Sequence, residues 1–376
     1  MLDEKKNRKV YLFAGGGTGG HLFPAVALAE KIKELDAKAE IHFVGTSRGL
    51  ESRVIPSLGY PLHRIAVRGM RRYVSLSNLF VPMALLWSFF QSLYLILKLR
   101  PSVVVGTGGY VSGPVLFMAS LLAKPTLIQE QNSYPGATTR LLARRVNRVC
   151  TSFAESLDYF KKKDHVRLLG NPVRKLDLSI GKEAARQSFN LFPDKLTMFI
   201  FGGSQGAKAI NQAVLACLDE VMMKSNVQVL WSCGKTSYDE VAERAGDHPE
   251  RIHIAEFIDD MERAYAASDF VLCRAGALTL AEITLCGLPS ILVPYPLAAA
   301  GHQEANARSL ERIGAAKVIL EKEIKTSELF QRIFDLIQND AERKRMSLAA
   351  KSAAHPNATA DIASEIIQLA KQEKEM

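Results

Sequence analysis

The chain of 376 residues is poor in cysteine and lacks the short signatures of several enzyme classes. Its five cysteines lie far apart, and their odd number argues against a complete disulfide framework, so we expect a reducing compartment. No Walker A lysine, no Asp-x-Asp pair and no metal-spaced group of His and Cys occurs. We therefore expect no metal and no cofactor, and we expect phosphate charge to be met by helix ends and arginine. The apolar run near the N-terminus is too short for a signal-peptide core.

The charge of the chain is unevenly distributed. Residues 1–174 hold 25 Lys and Arg against 11 Asp and Glu, a net +14, whereas residues 175–376 hold 23 against 28, a net −5. Such asymmetry indicates that the first part meets an anionic surface, either a membrane or a nucleic acid. A solvated basic face is the plainer alternative. No basic stretch is interleaved with aromatic residues as in single-strand binders, so we expect no nucleic acid.

Short apolar strands alternate with helical stretches, which favours parallel sheets with helices on both faces. In the first part, strands are predicted at residues 10–14, 41–44, 103–106, 126–128, 149–151 and 166–169. Helices are predicted to open near Phe23–Pro24 and to cover residues 50–58, 76–99, 115–122 and 138–145.

The same pattern restarts after the turn-rich residues 170–174. Further strands are predicted at 198–201, 227–232, 252–255, 270–273 and 290–293, with a helix from Lys208. Because both parts open with a strand, a glycine loop and a helix, two similar Rossmann-like domains are predicted. The last helix, about 360–371, follows a break at 355–357 and is expected to pack back on the first domain.

Residues 79–97 form a run of 19 without a charged side chain, which is long enough for a membrane span. Ser88, Gln91 and Ser92 fall on one helical face, and basic residues flank both ends. A span would also interrupt the strand–helix alternation, which continues on both sides. We therefore favour a helix that packs in the domain and turns one apolar stripe to a membrane, over an ordinary core helix and over a true span.

The glycine-rich loop 15–20 follows a strand and leads into a helix, an arrangement that brings backbone N–H groups close to an anion. His21 stands at the entry of that helix, where its imidazole is able to act as a general base near neutral pH. A purely structural role for His21, capping the turn, is the alternative.

Further loops follow other predicted strands. Ser204, in the glycine loop 202–207, suits a phosphate, and Glu282, one and a half turns into a helix, suits the two hydroxyls of a ribose. Glu282 is alternatively explained by the positive end of its helix. Loops 108–114 and 129–132 end strands of the first part, and open α/β sheets bind their ligands at such strand ends.

Taken together, these motifs resemble those of the MurG family, the UDP-N-acetylglucosamine transferases that convert the peptidoglycan precursor lipid I to lipid II. The resemblance covers essentially the whole chain. Its motifs occur in family order: GGTGGH at 16–21, GGYVSGP at 108–114, EQN at 130–132, GNPVR at 170–174, GGSQGA at 202–207, EFIDDM at 256–261, RAGALTLAE at 274–282 and HQ-x-x-NA at 302–307. Two positions depart from the family pattern, since Gln129 stands where His is usual and Ala275 where Ser is usual.

The resemblance implies a GT-B fold, an α/β class with two Rossmann-like, doubly wound domains facing each other across a cleft. Residues 1–174, with the returning C-terminal helix 357–376, would form the acceptor and membrane-associating domain. Residues 175–356 would form the domain that binds the donor, UDP-GlcNAc. The implied location is the cytoplasmic side of the inner membrane, where basic residues and residues 79–97 would hold the protein peripherally.

The implied reaction is an inverting glycosyl transfer without a metal. The 4-hydroxyl of the N-acetylmuramoyl sugar of undecaprenyl-pyrophosphoryl-MurNAc-pentapeptide would attack the anomeric carbon of UDP-GlcNAc. His21 would be the general base, with Glu130 as second choice, and Tyr110 would help to shape the acceptor site. The remaining positions would bind UDP-GlcNAc: Thr18, Gly19, Gly20 and Asn132 toward the donor and its sugar, Arg174 toward the nucleotide, Ser204 toward the diphosphate, Ile258 through its backbone to uracil, Gln303 toward the GlcNAc hydroxyls, and Ala277, Leu278, Thr279, Leu280, Ala281 and Glu282 toward the diphosphate and ribose.

Two alternatives stay open. Another GT-B protein, such as a processive lipid glycosyltransferase or a UDP-GlcNAc 2-epimerase, would share the nucleotide loops, although an epimerase needs no lipid-facing helix. A non-catalytic nucleotide-binding module or a nicotinamide enzyme belongs to a different class. The nicotinamide enzyme would bind NAD(H) and not UDP, which a calorimetric titration distinguishes.

Overall fold

The computed structural model describes residues 8–67, 81–203, 206–246, 248 and 250–372. The chain divides into two compact units, which we call unit 1 (Met1–Arg174 with His355–Met376) and unit 2 (Lys175–Ala354). Each unit is built on one parallel sheet with its own hydrophobic core. The predicted pair of doubly wound α/β domains is therefore confirmed.

Unit 1 carries the first seven strands. They are β1 Val10–Gly15, β2 Glu40–Gly45, β3 Leu62–Arg64, β4 Val103–Gly108, β5 Thr126–Glu130, β6 Arg148–Thr151 and β7 Val166–Leu168. The helices among them are α1 Gly19–Leu35, α2 Glu51–Ser57, α3 Val81–Leu99, α4 Gly109–Leu121 and α5 Ala137–Leu142, with a 3-10 turn at Ala154–Tyr159. The strand order is β3-β2-β1-β4-β5-β6-β7.

Both faces of this sheet are covered, which explains why its strands read as continuous apolar runs. In β1, Tyr11 and Phe13 pack on one face with α1, whereas Leu12 and Ala14 pack on the other face with α3 and α4.

Unit 2 repeats the architecture with six strands among its described residues. They are β8 Thr197–Phe201, β9 Gln228–Ser232, β10 Ile252–Ala255, β11 Phe270–Cys273, β12 Ser290–Leu292 and β13 Ala316–Val318, in the order β10-β9-β8-β11-β12-β13. The helices are α6 Lys182–Ser188, α7 Lys208–Leu215, α8 Leu218–Lys224, α9 Tyr238–Ala245, α10 Met261–Ala267, α11 Ala277–Leu285, α12 His302–Arg312, α13 Thr326–Gln338 and α14 Asp340–Ser352. Short 3-10 turns lie at Lys235–Ser237, Ala299–Gly301 and Glu321–Glu323.

The last helix, α15 Ala358–Gln372, belongs to unit 1. Its apolar face, with Ile362, Ile366 and Leu369, is buried in the same core as α1. The hydroxyl of Thr359 donates to the carbonyl of Val173 at 3.0 Å, which fixes the start of the helix to the end of the first segment.

The direction of strand order reverses between β1 and β4 in unit 1 and between β8 and β11 in unit 2. Ligands of open α/β sheets bind at such reversals, beyond the carboxyl ends of the strands. Two predicted boundaries are wrong in this region: α1 begins at Gly19 and not near Phe23, and α4 begins at Gly109 and not at residue 115. Because glycines complete the strand-to-helix turns within a few residues, His21 and Tyr110 lie on the first turns of their helices.

In helix α3 polar residues are buried and large apolar residues are exposed, which is the reverse of an ordinary surface helix. Ser88 and Ser92 are fully buried, and Oε1 of Gln91 accepts the N–H of Ala66 at 2.7 Å. The large apolar side chains that it exposes are Met83, Leu85, Leu86, Trp87, Phe90, Tyr94 and Leu97. By length and composition alone, Pro82–Leu99 is long and apolar enough to cross a membrane. Residues 79 and 80 of the predicted run lie outside the described residues.

Candidate active site

Two glycine turns meet at the reversal between β1 and β4. A Cβ on Gly109 would lie 2.5 Å from the carbonyl oxygen of Gly16, and a Cβ on Gly108 would lie 2.4 Å from Nδ1 of His21. Both glycines also have positive φ angles, +107° at Gly108 and +78° at Gly109. Only glycine permits this close approach in this backbone conformation.

A buried carboxylate fixes the first of these loops. Oε2 of Glu51 accepts the N–H of Gly17 at 2.8 Å, and Oε1 accepts the N–H and the hydroxyl of Thr46 at 2.8 and 2.9 Å. Burial alone would raise the pKa of Glu51, but these donors outweigh it and hold the pKa below its ordinary value. The conformation of the loop is therefore set by the protein before any ligand arrives.

His21 is half-buried and held from two sides. Its Nδ1 lies 3.1 Å from the carbonyl oxygen of Thr107 and 3.1 Å from Oε1 of Gln131. The hydroxyl of Thr107 donates in return to the carbonyl of His21 at 2.7 Å. The imidazole orientation is thus determined by residues at the ends of β4 and β5.

Glu130, the other predicted candidate for the base, is used by its own loop. Its Oε1 accepts the N–H of Asn132 at 3.1 Å, and its Oε2 accepts the N–H of Gly136 at 3.0 Å and the hydroxyl of Thr139 at 2.6 Å. The side chain is 4 % exposed. This geometry fits a carboxylate that orders residues 130–139 and presents the half-buried Asn132.

The remaining predicted residues of unit 1 lie at the surface. Tyr110, on the first turn of α4, is 62 % exposed. Thr18, Gly20 and Arg174 are exposed, and Gly19 is half-buried. Thr18, Gly19, Gly20 and Tyr110 thus belong to the β1 and β4 turns, whereas Arg174 closes the first segment of unit 1.

In unit 2, the first turn of α11 follows β11 directly, with Gly276 at its N-cap. The N–H groups of a helical first turn and the helix dipole suit an anion. Half-buried residues of this helix include Ala277, Leu278, Thr279 and Ala281. Leu280 is buried in the core, so only the backbone of Leu280 is available to a ligand.

The carboxylate of Glu282 is held by a residue that the sequence did not identify. The hydroxyl of Tyr265, on α10, donates to Oε2 of Glu282 at 2.8 Å. Tyr265 itself is 2 % exposed and packs against Phe199 and Phe201. The half-buried carboxylate is therefore oriented by a side chain that the core of unit 2 fixes.

Two further predicted residues lie after other strands of unit 2. The first is Gln303, whose Oε1 accepts the N–H of Tyr295 at 2.9 Å. Arg274, which was not predicted as a site residue, donates to two carbonyls next to Tyr295, those of Val293 and Pro294, at 3.2 and 3.3 Å. These bonds shape the loop after β12. Ile258, which follows β10, is 5 % exposed, so its backbone is the part able to contact a ligand.

Ser204 lies outside the described residues. In the described part of the chain, no three His, Cys, Asp or Glu side chains come together as a group that would hold a metal ion.

Comparison with known proteins places these features in a family context. Residues 11–151 match the model of the glycosyltransferase family 28 N-terminal domain, and residues 197–364 match that of the family 28 C-terminal domain. The chain is also similar to the UDP-N-acetylglucosamine–N-acetylmuramyl-(pentapeptide) pyrophosphoryl-undecaprenol N-acetylglucosamine transferases of Salinibacter ruber (43% identity over 96% of each chain) and Chlorobium luteolum (45% identity over 96% of this chain and 99% of the relative). Among solved structures, it is similar to MurG of Acinetobacter baumannii, with 29% identity, a TM-score of 0.79, and coverage of 96% of this chain and 99% of that one.

Proposed function

Since the chain belongs to the MurG family within glycosyltransferase family 28, we propose which of its residues carry out each part of that family's reaction. The fold is GT-B, and the protein is a UDP-GlcNAc-dependent N-acetylglucosaminyltransferase of peptidoglycan synthesis. It transfers GlcNAc to lipid I and so forms lipid II. The full-length similarity to the named transferases carries this conclusion, and it favours the transferase over the epimerase and nicotinamide alternatives.

In this proposal, His21 is the general base of the transfer reaction. The nucleophile is a sugar hydroxyl with a high pKa, so a base must take its proton as the bond forms. The imidazole of His21 is held at Nδ1 by Thr107 and Gln131, and this leaves Nε2 for the substrate. Glu130 serves the site indirectly, because both of its oxygens accept bonds from residues 132–139. Tyr110 shapes the acceptor site from the first turn of α4.

Unit 2 binds the nucleotide in this proposal. The leaving group is a diphosphate that gains negative charge, and the first turn of α11 offers fixed N–H dipoles to that charge. Glu282, oriented by Tyr265, receives the ribose hydroxyls. The other assignments are Thr18, Gly19, Gly20 and Asn132 for the donor and its sugar, Arg174 for the nucleotide, Ser204 for the diphosphate, Ile258 for uracil, Gln303 for the GlcNAc hydroxyls, and Ala277, Leu278, Thr279, Leu280 and Ala281 for the diphosphate.

The membrane is the third partner in the proposal. The acceptor is a polyprenyl lipid, and α3 turns Trp87, Phe90 and Tyr94 outward while it buries its serines. An apolar face of this kind, on a unit whose residues 1–174 carry a net charge of +14, suits the interface of an anionic leaflet. We assign the protein to the cytoplasmic side of the inner membrane, bound peripherally through the α3 face and basic residues.

One experiment separates the catalytic role from the binding role. We expect His21→Ala to lower turnover by roughly 10²–10⁴ while UDP binding is retained, since the base contacts only the acceptor hydroxyl. Glu282→Ala should instead weaken UDP-GlcNAc binding more than it slows turnover. Initial rates with a lipid I analogue and calorimetric titration with UDP measure the two effects.

The control is His248→Ala, which removes a histidine of unit 2 outside the proposed site. Near-normal turnover of His21→Ala would rule out His21 as the base. Conversion of UDP-GlcNAc to another sugar nucleotide without lipid acceptor would contradict the transferase itself.

A further inference from the structure

We propose that Gln131 is a positioning residue that fixes the tautomer of His21 through a buried chain of neutral side chains. The inference rests on the proposed role of His21 as general base. Gln131 is 2 % exposed, and it lies directly after β5, between His21 and the interior of unit 1.

The orientation of the Gln131 amide follows from the atoms around it. Among the described residues, the hydrogen-bond partners of its Nε2 are all acceptors: the carbonyl of Thr107 at 2.7 Å, the carbonyl of Gln129 at 3.0 Å, and Oε1 of Gln129. An amide nitrogen donates and never accepts, so this end is the NH₂ group. The opposite end, Oε1, is therefore the oxygen that faces Nδ1 of His21.

This orientation determines the protonation of the imidazole. Nδ1 of His21 lies 3.1 Å from two oxygens, the carbonyl of Thr107 and Oε1 of Gln131, and neither oxygen has a proton to donate. Nδ1 must therefore carry the N–H of the neutral ring, and Nε2 carries the lone pair. A neutral imidazole without such partners favours the proton on Nε2, which would leave no lone pair there for the substrate.

Gln131 acts twice in this arrangement. It accepts the N–H of His21, and it also donates to the carbonyl of Thr107, which is the second acceptor of the same N–H. Removal of the Gln131 amide therefore takes away one of the two acceptors of this N–H and the donor that fixes the position of the other.

Gln131 is in turn held by other neutral groups. Nε2 of Gln129 donates to Oγ of Ser152 and Oδ1 of Asn171, both at 3.2 Å, which directs Oε1 of Gln129 toward Gln131. Nδ2 of Asn171 donates to the carbonyl of Gln131 at 3.0 Å. All of these side chains are buried. Because each of these side chains makes more than one of these hydrogen bonds, the network restricts the orientation of Gln131.

The direct test is the protonation state of His21 in the intact enzyme. With ¹⁵N-labelled histidine, and with the His21 signals assigned from the loss of signals in His21→Ala, we expect a protonated Nδ1 and an unprotonated Nε2 in the neutral ring. A predominant Nε2–H tautomer in the unaltered protein would overturn the inference.

The variant Gln131→Met keeps the length of the side chain and removes the amide. We expect kcat to fall about tenfold with the KM for UDP-GlcNAc unchanged. We also expect the Nε2–H tautomer of His21 to appear in the ¹⁵N spectrum. The control is Gln187→Met on the exposed face of α6, which should change neither kcat nor the spectrum.

The outcomes separate this inference from the proposed function. If kcat falls in Gln131→Met while the His21 tautomer is unchanged, Gln131 is merely structural and the inference fails. An unchanged kcat also overturns it. If His21→Ala remains active, the assignment of the base fails, whatever the spectrum of Gln131→Met shows.

Discussion

At the scale of single residues, Glu51 joins stability to the shape of the site. Its carboxylate is 0 % exposed and lies among donors from Gly17 and Thr46. Within the described part of the chain this carboxylate pairs with no cation, and its burial is tolerated because these donors satisfy both of its oxygens. Since the N–H of Gly17 is committed to Glu51, the ligand meets a loop that is already in place.

We expect Glu51→Gln to destabilise unit 1, because its NH₂ group would face a backbone N–H where an oxygen was needed. The loss is about 1–3 kcal/mol at neutral pH, the cost of an unsatisfied buried group. The folded-state pKa of Glu51 is lowered, so its stabilisation is present above the unfolded-state pKa and is lost as the pH falls through the folded pKa. The difference between the two proteins should therefore shrink on acidification below about pH 4.3, as denaturant unfolding at several pH values measures.

Glu240→Gln, at an exposed position on α9, is the control and should leave the unfolding curves unchanged. A difference for Glu51→Gln that stays constant from neutral to acidic pH would contradict the account of Glu51 as an ionised brace.

The residues that the sequence revealed differ physically from those that it concealed. His21 and the glycine turns were identified because their requirements are local: a turn, a positive φ and a helix entry follow one another in the chain. Glu51 contacts Gly17 across 34 positions, and Gln131 contacts His21 across 110. Such partners depend on the order of strands in the sheet, which residue patterns in one chain do not determine.

At the level of secondary-structure elements, α3 shows that the spacing of polar residues does not predict which face of a helix is buried. The sequence placed Ser88, Gln91 and Ser92 on one face, but the same spacing suits a polar face that is exposed or one that is buried. In the structure the hydroxyl of Ser88 donates to the carbonyl of Leu85 and that of Ser92 to the carbonyl of Ser88, both at 2.6 Å. Because the helix satisfies its own serines, that face packs inward and the apolar face is left outside.

Replacing Trp87 and Phe90 with Asp should weaken binding to vesicles, because both side chains are more than half exposed and would enter the lipid interface. We expect the partition coefficient to fall by about tenfold or more, since burying one such side chain contributes about 1.5–3 kcal/mol. Flotation with vesicles that contain phosphatidylglycerol measures the change.

The matched control replaces Met223 and Leu348, exposed apolar residues on helices of unit 2, with Asp. Equal losses in both double variants, or no loss in either, would reject the α3 face as the membrane-binding element.

Over the molecule as a whole, the charge of the two units differs in what it indicates about the ligand of each unit. In the proposed function, unit 2 binds a soluble nucleotide through a few fixed N–H groups and side chains, so its net charge says little about its ligand. Unit 1 carries a basic cluster in which Arg140, Arg144, Lys161 and Lys162 line a cavity of about 300 Å³ together with Tyr159 and His165. Clustered cations concentrate an electrostatic potential that a dispersed surplus of charge does not.

Two charge-reversing double variants test whether the proposed attraction to an anionic membrane depends on the position of charge or on its total amount. Lys161→Glu with Lys162→Glu, and Lys322→Glu with Lys325→Glu, each lower the formal net charge from +9 to +5. Near an anionic leaflet each basic residue contributes about 1 kcal/mol, and screening removes the effect beyond a Debye length of about 8–10 Å. We therefore expect only the change in unit 1 to weaken flotation with anionic vesicles, by about tenfold or more at low salt.

Turnover of a soluble acceptor analogue should remain the same in both variants, because neither pair belongs to the proposed site. Raising the ionic strength should lower the vesicle binding of the unaltered protein toward that of the unit 1 variant. The contribution of the α3 face to vesicle binding should persist. If the two double variants lost vesicle binding equally, net charge alone would account for the attraction and the basic cluster of unit 1 would have no special part in it. A loss confined to the unit 2 variant would reverse the assignment of the units, because the membrane would then be met by the unit that carries the nucleotide loops.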